Sequence, residues 1–389
     1  MHNCKLYFTF AETKNIFCMK TQLKCIGHFS CATVVTTLLL LSCSPRILYQ
    51  VDNCIEFTPS DVKCSNIESS ELPVTVLSAR EIDVCDSLLI VTTEDKSGYL
   101  KIIGTNSLSV LAEICQNGNA GNEFRYAGSS SHFMHSENGD ILFDVNDMSH
   151  IKRLNLSQSV KDQVAVVEES FPYDGLFDKI SFCGADSIIF EKQRVRIMIN
   201  SKGRNLNWNV TEPGYITANG PCTPYNSMMI FQDVPTAVEM MYDGSVGIKP
   251  DYTVAVDALF YIDCINLIDL ESGRITGIVN RDYPSFKQID SMSISEMASR
   301  LTTNYREIQT FNEYFLLLWE GNTLDEELNE NDNKNSEIRV FDWDGNLLER
   351  IALDRYARSF SYEPESQTLF LLNDKGQLYS APLILTEKN

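Results

Sequence analysis

His132 and His135 lie three residues apart and His150 follows nearby, a set of imidazoles that could ligate a metal. A helical metal site would add the glutamate of a His-Glu-x-x-His pattern. Here the pair sits in a Ser-rich stretch without one, so the histidines read as exposed loop residues. Asp342-x-Asp344-x-Asn346 begins like a calcium loop, but Leu347 stands where the loop needs glycine and Leu353 where it needs glutamate. A hairpin turn is the better reading. Glu320, Asp325, Glu326, Glu327, Glu330, Asp332 and Glu337 crowd one stretch whose base is Lys334. Such a run reads as a solvated loop, with a weak divalent-cation role as the sharper alternative. Trp343-Asp344 has no Gly-His partner to make a WD40 repeat, and Ser201 to Trp208 meets only two positions of a sialidase-type repeat. There is no Gly-x-Ser-x-Gly elbow, phosphate loop or Cys-x-x-Cys pair. No catalytic residue, metal ligand or cofactor is therefore assigned, and the ligand-binding residues stay open. Arg125-Tyr126 could face a ligand, but packing of Phe124 and Tyr126 is the plainer expectation.

The 389 residues suit one large β-architecture or two ordinary domains. Lys and Arg number 32 against 53 Asp and Glu, a net charge of −21 that repels phosphate backbones, so no nucleic-acid partner is expected. With 43% hydrophobic and 22% charged residues, the chain has enough apolar surface to bury and is not disordered as a whole.

Lys20 and Lys24 precede the apolar run Val34 to Leu41, which is too short to span a bilayer. The run ends in Leu40-Leu41-Ser42-Cys43, which resembles a bacterial lipobox. That resemblance implies cleavage before Cys43, acylation of its thiol and anchoring to a membrane through lipid. An ordinary signal peptide with a chance cysteine is the alternative. Residues 1–42 are read as a signal segment whose true start could be Met19, and residues 43–70 as a tether. Ser44-Pro-Arg46 lacks the acidic run associated with outward display, so a cell-envelope location facing the periplasm is expected.

After Cys43 come Cys54, Cys64, Cys85, Cys115, Cys183, Cys222 and Cys264, an odd number at wide spacings. Buried free thiols are expected, with a Cys54–Cys64 bridge left open.

Short apolar runs then recur between turns: Leu88 to Thr93, Tyr99 to Ile103, Val110 to Ile114, Asp140 to Asp144, Ile151 to Leu154, Val164 to Val167, and so on to Gln377–Tyr379. Such runs, rich in Val, Ile, Phe and Tyr, predict an all-β fold. Polar-Gly turns at Asn200–Gly203, Leu270–Gly273, Asp342–Gly345 and Asn373–Gly376 predict hairpins. Comparable runs start at Leu88, Ile141, Ile188, Met229, Leu259, Phe315 and Leu369, with separations of 53, 47, 41, 30, 56 and 54. That ragged period fits blades of four strands. A β-propeller over residues 71–385 follows, with six blades expected and seven as the alternative. Ser293-x-x-Glu296 predicts a short helix within Ser291 to Ile308. The last blade lacks a strand, which Ile55–Phe57 or Val74–Leu77 should supply.

The signal, the Leu40–Cys43 ending and the blade pattern together resemble the TolB-like six-bladed β-propeller lipoproteins of Bacteroides-type bacteria. Their loop Gly-x-Gly-Pro-x-Glu-Phe is met by Gly118-Asn-Ala-Gly-Asn-Glu123-Phe124, without the proline and with Ala120 for the second glycine. Leu259 to Gly273 is similar to their strand–strand–turn core, and the likeness spans about residues 55–385. It implies a fold and an address rather than an activity. A membrane-tethered binding or scaffold module is favoured, its ligand a glycan, a peptide or an envelope protein. The alternative is a propeller enzyme, a hydrolase, lyase or lactonase with its site at the channel mouth.

Overall fold

A computed structural model describes residues 47–49, 51–147, 150–172, 179–182, 187–192, 195–200, 229–231, 244–270, 272, 274–323, 326 and 336–385. The chain divides into residues 1–45 and 46–389, and everything described belongs to the second unit. The signal segment, Cys43 and the runs Leu206–Val210 and Val238–Met241 lie outside the described residues.

The N-terminal stretch supplies β1 (Ile47–Tyr49), β2 (Asn53–Phe57), β3 (Cys64–Ile67) and β4 (Ser70–Thr75). An antiparallel sheet follows from β5 (Ala79–Cys85), β6 (Leu88–Thr93), β7 (Leu100–Gly104) and β8 (Val110–Ile114). The next contains β9 (Gly128–His135), β10 (Ile141–Asp147), β11 (His150–Asn155) and β12 (Val167–Pro172), with helix α1 (Leu156–Asp162) before its last strand. β13 (Lys179–Phe182), β14 (Ser187–Lys192) and β15 (Val195–Asn200) make a three-stranded sheet, and β16 (Met229–Phe231) pairs with β1. β17 (Gly244–Ile248), β18 (Val254–Leu259), β19 (Cys264–Asp269) and β20 (Ile275–Asn280) take β2 as a fifth strand, parallel to β20. Helices α2 (Phe286–Asp290) and α3 (Ile294–Arg300) lead to β21 (Tyr305–Thr310), β22 (Tyr314–Trp319), β23 (Glu337–Asp342) and β24 (Leu347–Leu353), which take β3 in the same way. β25 (Ser359–Glu363), β26 (Thr368–Leu372) and β27 (Gln377–Pro382) are completed by β4, antiparallel to β27.

The fold is an all-β propeller. Its core lies between neighbouring sheets. Ile90, Leu100, Phe124 and Phe143 pack the first two four-stranded sheets together, and Ile82, Leu89, Phe370 and Leu372 pack the first against the last. A second strand such as β6 is covered on both faces and is buried at every residue. That is why Leu88-Leu-Ile-Val-Thr-Thr93 reads as a continuous run instead of an alternating one.

The closing strand overlaps the expected Val74–Leu77, whereas Ile55–Phe57 serves a different sheet. The closure is tight at Gly376, which has φ +76° and accepts the Val76 N–H at 2.8 Å. A Cβ there would stand 2.0 Å from the Val76 carbonyl oxygen. The span 43–70, expected as a tether, carries β2 and β3: its apolar Phe57 and Ile67 are buried among the sheets they join. Ser293 caps α3 through a reciprocal box with Glu296, as its spacing predicts, and Ser285 with Gln288 does the same for α2. The expected helical span runs too far, because Tyr305–Thr310 is a strand. Val164 and Ala165 precede their strand rather than open it, since Asn155 caps α1 just upstream. Leu259 ends β18, and Phe260 to Ile262 turn into β19. Cys54 and Cys64 are both free thiols, on strands that join different sheets.

Candidate functional site: the central channel

The first strand of each sheet touches the next in turn: β5 with β9, β9 with β13, β13 with β17, β17 with β21, β21 with β25, and β25 with β5. These strands are not joined by ladder hydrogen bonds. Side chains join them instead. The N–H groups of Ile82 and Val84 donate to Ser359 Oγ and Ser361 Oγ, each at 3.0 Å. The N–H groups of Phe360 and Tyr362 donate to Glu307 Oε2 at 2.7 Å and Gln309 Oε1 at 2.6 Å. Ser245 Oγ donates to the Arg306 carbonyl at 2.9 Å, and Thr310 Oγ1 to that of Ile248 at 2.6 Å. Partner numbers rise together in every pair, so these inner strands run parallel, and residues on different strands can be placed at common levels.

The strands enclose a cavity of about 630 Å³. At the level where they begin stand Arg80, Arg306 and Arg358, on or beside the adjacent strands β5, β21 and β25. Arg80 lies over the Tyr126 ring, 5.3 Å from its centroid, and meets Glu94 at 3.9 Å. Arg306 lies 5.4 Å from the centroid of Phe260 and is held by the buried Glu320 carboxylate, Nη2 to Oε2 at 3.1 Å. Arg358 has no ion-pair partner among the described residues.

One step along the channel come carboxylates and hydroxyls. Asp83 is buried and accepts from Ser129 Oγ at 2.6 Å. Burial pushes its pKa up to about 6, against the opposing pull of the Ser129 and Ser131 hydroxyls, and Glu81 raises it further. Glu307 keeps some surface in contact with solvent, yet the atoms around its carboxyl exclude water and hold its pKa well above the usual carboxylate range. The charges of Glu81 and Asp83 add to that rise. Both acids therefore keep their protons to higher pH than an ordinary carboxylic acid does.

A bulge shapes the β9 wall. Ser129 pairs with Val145 and Phe133 with Phe143, so Ser130, Ser131 and His132 face the single residue Asp144, and Ser131 takes φ +52°. The bulge places His132 Nδ1 2.8 Å from the carboxylate of Asp144, which is fully buried and also grips Arg153 at 3.0 and 3.1 Å. His132 Nε2 points to the Tyr252 hydroxyl at 3.5 Å. His132 and His135, expected on a loop, are therefore on a strand, and they are not brought together with each other or with His150. His135 Nε2 lies against Asp86 at 3.0 Å, and His150 opens β11.

The other sequence candidates divide. Gly118 to Phe124 closes on itself, with the Gly118 N–H donating to the Phe124 carbonyl and Phe124 fully buried under Lys152. Tyr126 lines the channel, while Arg125 turns to Asn119 at 3.0 Å. Asp342 to Asn346 is a hairpin turn, with Asp342 Oδ1 accepting the Asn346 N–H at 2.8 Å and Gly345 at φ +89°. The acidic stretch is anchored at both ends and is not a wholly solvated loop: Glu320 holds Arg306, and the buried Glu337 holds Arg339 and Arg350 at 2.9 and 2.6 Å. Residues 327–335 between them lie outside the described residues.

The sequence matches the family described as TolB-like 6-blade propeller-like over residues 73–364. The chain belongs to that family. A solved member of the DUF4221 family from Bacteroides vulgatus is similar at 12% identity, with a TM-score of 0.48, covering 87% of this chain and 98% of that one. The Cps50 (Swd1) β-propeller domain of Myceliophthora thermophila is 9% identical, with a TM-score of 0.40 over 81% of this chain and all of that domain. The Pan2 WD40 domain of Neurospora crassa is 11% identical, with a TM-score of 0.39, covering 82% of this chain and 81% of that one. No curated protein matches the chain. Among the described residues, no helix is long and apolar enough to cross a membrane.

The channel residues Arg80, Asp83, Glu307 and Arg358 carry no motif. The available signal is weaker: charged and polar residues are interspersed with apolar ones in Ala79–Cys85, Tyr305–Thr310 and Arg358–Tyr362, each just before a strand that holds a continuous apolar run.

Proposed function

We propose that the protein is a six-bladed propeller of the bacterial cell envelope, anchored through lipid on Cys43, whose central channel binds an acidic glycan. The observation that carries the ligand class is the placement of Arg80, Arg306 and Arg358 at one level of three adjacent inner strands. The sequence as a whole is net −21, so a cationic rim is not a by-product of composition. Guanidinium groups pair with carboxylate or sulfate in two-point contacts. Beyond the rim, Asp83, Glu307, serine hydroxyls and Gln309 together offer both donors and acceptors to sugar hydroxyls. The rings of Tyr126 and Phe260 offer apolar faces. The six-blade reading is supported by the ring of six touching first strands and by the family's own description.

The favoured role is recognition without turnover. An enzymatic reading draws on two features, the raised pKa of Asp83, about 6, and the His132–Asp144 pair that fixes one imidazole in the channel wall. One experiment tests both. Acidic and neutral oligosaccharides are titrated calorimetrically against the wild type and Arg358→Ala, and each mixture is then analysed for products. Binding of acidic sugars that weakens in Arg358→Ala, with the sugar recovered intact, is the expected result. Cleavage abolished by Asp83→Asn or His132→Ala would replace the binding role with catalysis. Equal affinity for neutral and acidic sugars would remove the arginine rim as the reader.

A further inference from the structure

The inner strands end as distinctively as they begin. Cys85 is the last residue of β5, Asp86 starts the turn to β6, and His135 is the last residue of β9. The β9 bulge brings His135 level with that turn. Cys85 Sγ, an Asp86 carboxylate oxygen and a His135 ring nitrogen all lie within 4.8 Å of one another.

We infer that Cys85, Asp86 and His135 form a site for a divalent cation of the zinc class, at the end of the inner strands opposite the arginine rim. The donor set is one sulfur, one nitrogen and one oxygen, which suits a borderline-soft ion and not calcium or magnesium. Ligand atoms around a tetrahedral zinc stand roughly 3.3–3.8 Å apart, given metal–ligand bonds of about 2.0–2.3 Å. The three side chains therefore need only small rotations, and the 3.0 Å contact between His135 and Asp86 is the hydrogen bond that the ion replaces. The surroundings favour a cation. Asp83, Asp86, Glu363 and Glu365 surround Cys85 with negative charge. Binding forms the Cys85 Sγ–metal bond and releases the thiol proton to solvent. His135 and Asp86 are about half exposed, so the fourth position opens to water or to a ligand donor.

The experiment uses the full-length protein, stripped with a chelator and reloaded with Co²⁺ or Zn²⁺. The wild type should show a thiolate-to-cobalt charge-transfer band that Cys85→Ser loses, together with one equivalent of tightly bound metal. Zinc affinity, read against a chromophoric chelator, should fall at least ~100-fold in Cys85→Ser and in His135→Gln, the scale that loss of even a supporting group can reach. Cys64→Ser should match the wild type. His135 is exposed, so its variant keeps the fold and guards against a loss caused by unfolding. A wild type without the band, or zinc affinity equal across all four proteins, would overturn the site.

Discussion

Arg339 Nη1 lies 3.0 Å from both carboxylate oxygens of Asp263, and both side chains are 2% exposed. Arg339 is on β23 and Asp263 in the turn between β18 and β19, so the pair ties two neighbouring sheets through the core. Glu337 takes the Nε–H at 2.9 Å, the Tyr305 hydroxyl joins Asp263, and the Trp319 ring covers the guanidinium at 4.2 Å. The guanidinium and the Asp263 carboxylate thus both have several partners, which makes a buried charge tolerable.

Arg339→Leu should destabilise the fold by about 3–5 kcal/mol, because it leaves Asp263 and Glu337 without their shared cation. Asp263→Asn in the same background should recover part of the loss by removing one stranded charge. Urea unfolding of the three proteins measures both effects, and a lone Arg339→Leu near wild-type stability would sink the account.

Stability should fall as pH rises from about 4 to about 6. Asp83 binds its proton more tightly in the folded state, with a pKa of about 6 against an ordinary 3.8. Folding is therefore favoured while the group is protonated, and the cost is complete once it ionises. The shift corresponds to at most about 3 kcal/mol. Asp83→Asn should be more stable than the wild type at pH 8 and little different at pH 4. Thermal melts at the two values give the answer, and an unchanged pH slope in the variant would count against the buried carboxyl.

The N-terminal strands should be indispensable. They add an outer strand to two sheets and close a third, so deleting residues 44–78 exposes three strand edges and should give insoluble protein. Gly376→Ala is the finer test. It should lower the melting temperature, since the added carbon meets the Val76 carbonyl and φ is left-handed. A soluble, cooperatively folding truncation would show that the closing strand is dispensable.

Cys43→Ala should block lipid attachment and leave the chain unprocessed or, if another peptidase cuts it, soluble. Mass spectrometry of the mature amino terminus checks this, and an unacylated terminus at another residue would remove the anchor.

The sequence by itself determined the strand-rich class, the hairpins at 270–273, 342–345 and 373–376, and the capping box at Ser293. Each depends on neighbours within a few residues. It also made the second strands legible, because Leu88–Val91, Phe315–Leu318 and Leu369–Leu372 are wrapped on both faces and are continuous apolar runs. The innermost strands were harder to read for the opposite reason. Ala79–Cys85, Gly128–His135 and Tyr305–Thr310 turn one face to the channel, so their charges and hydroxyls look like loop or helix composition. Only the tertiary structure decided that Arg80, Arg306 and Arg358 share a level, and that Cys85 meets His135. Those residues lie far apart in the chain, and their meeting depends on ring closure and on a bulge at Ser130–His132 that periodicity does not encode. The same holds for Glu320 and Glu337: an acidic run reads as solvated until Arg306, Arg339 and Arg350 arrive from other positions in the sheet to bury its two ends.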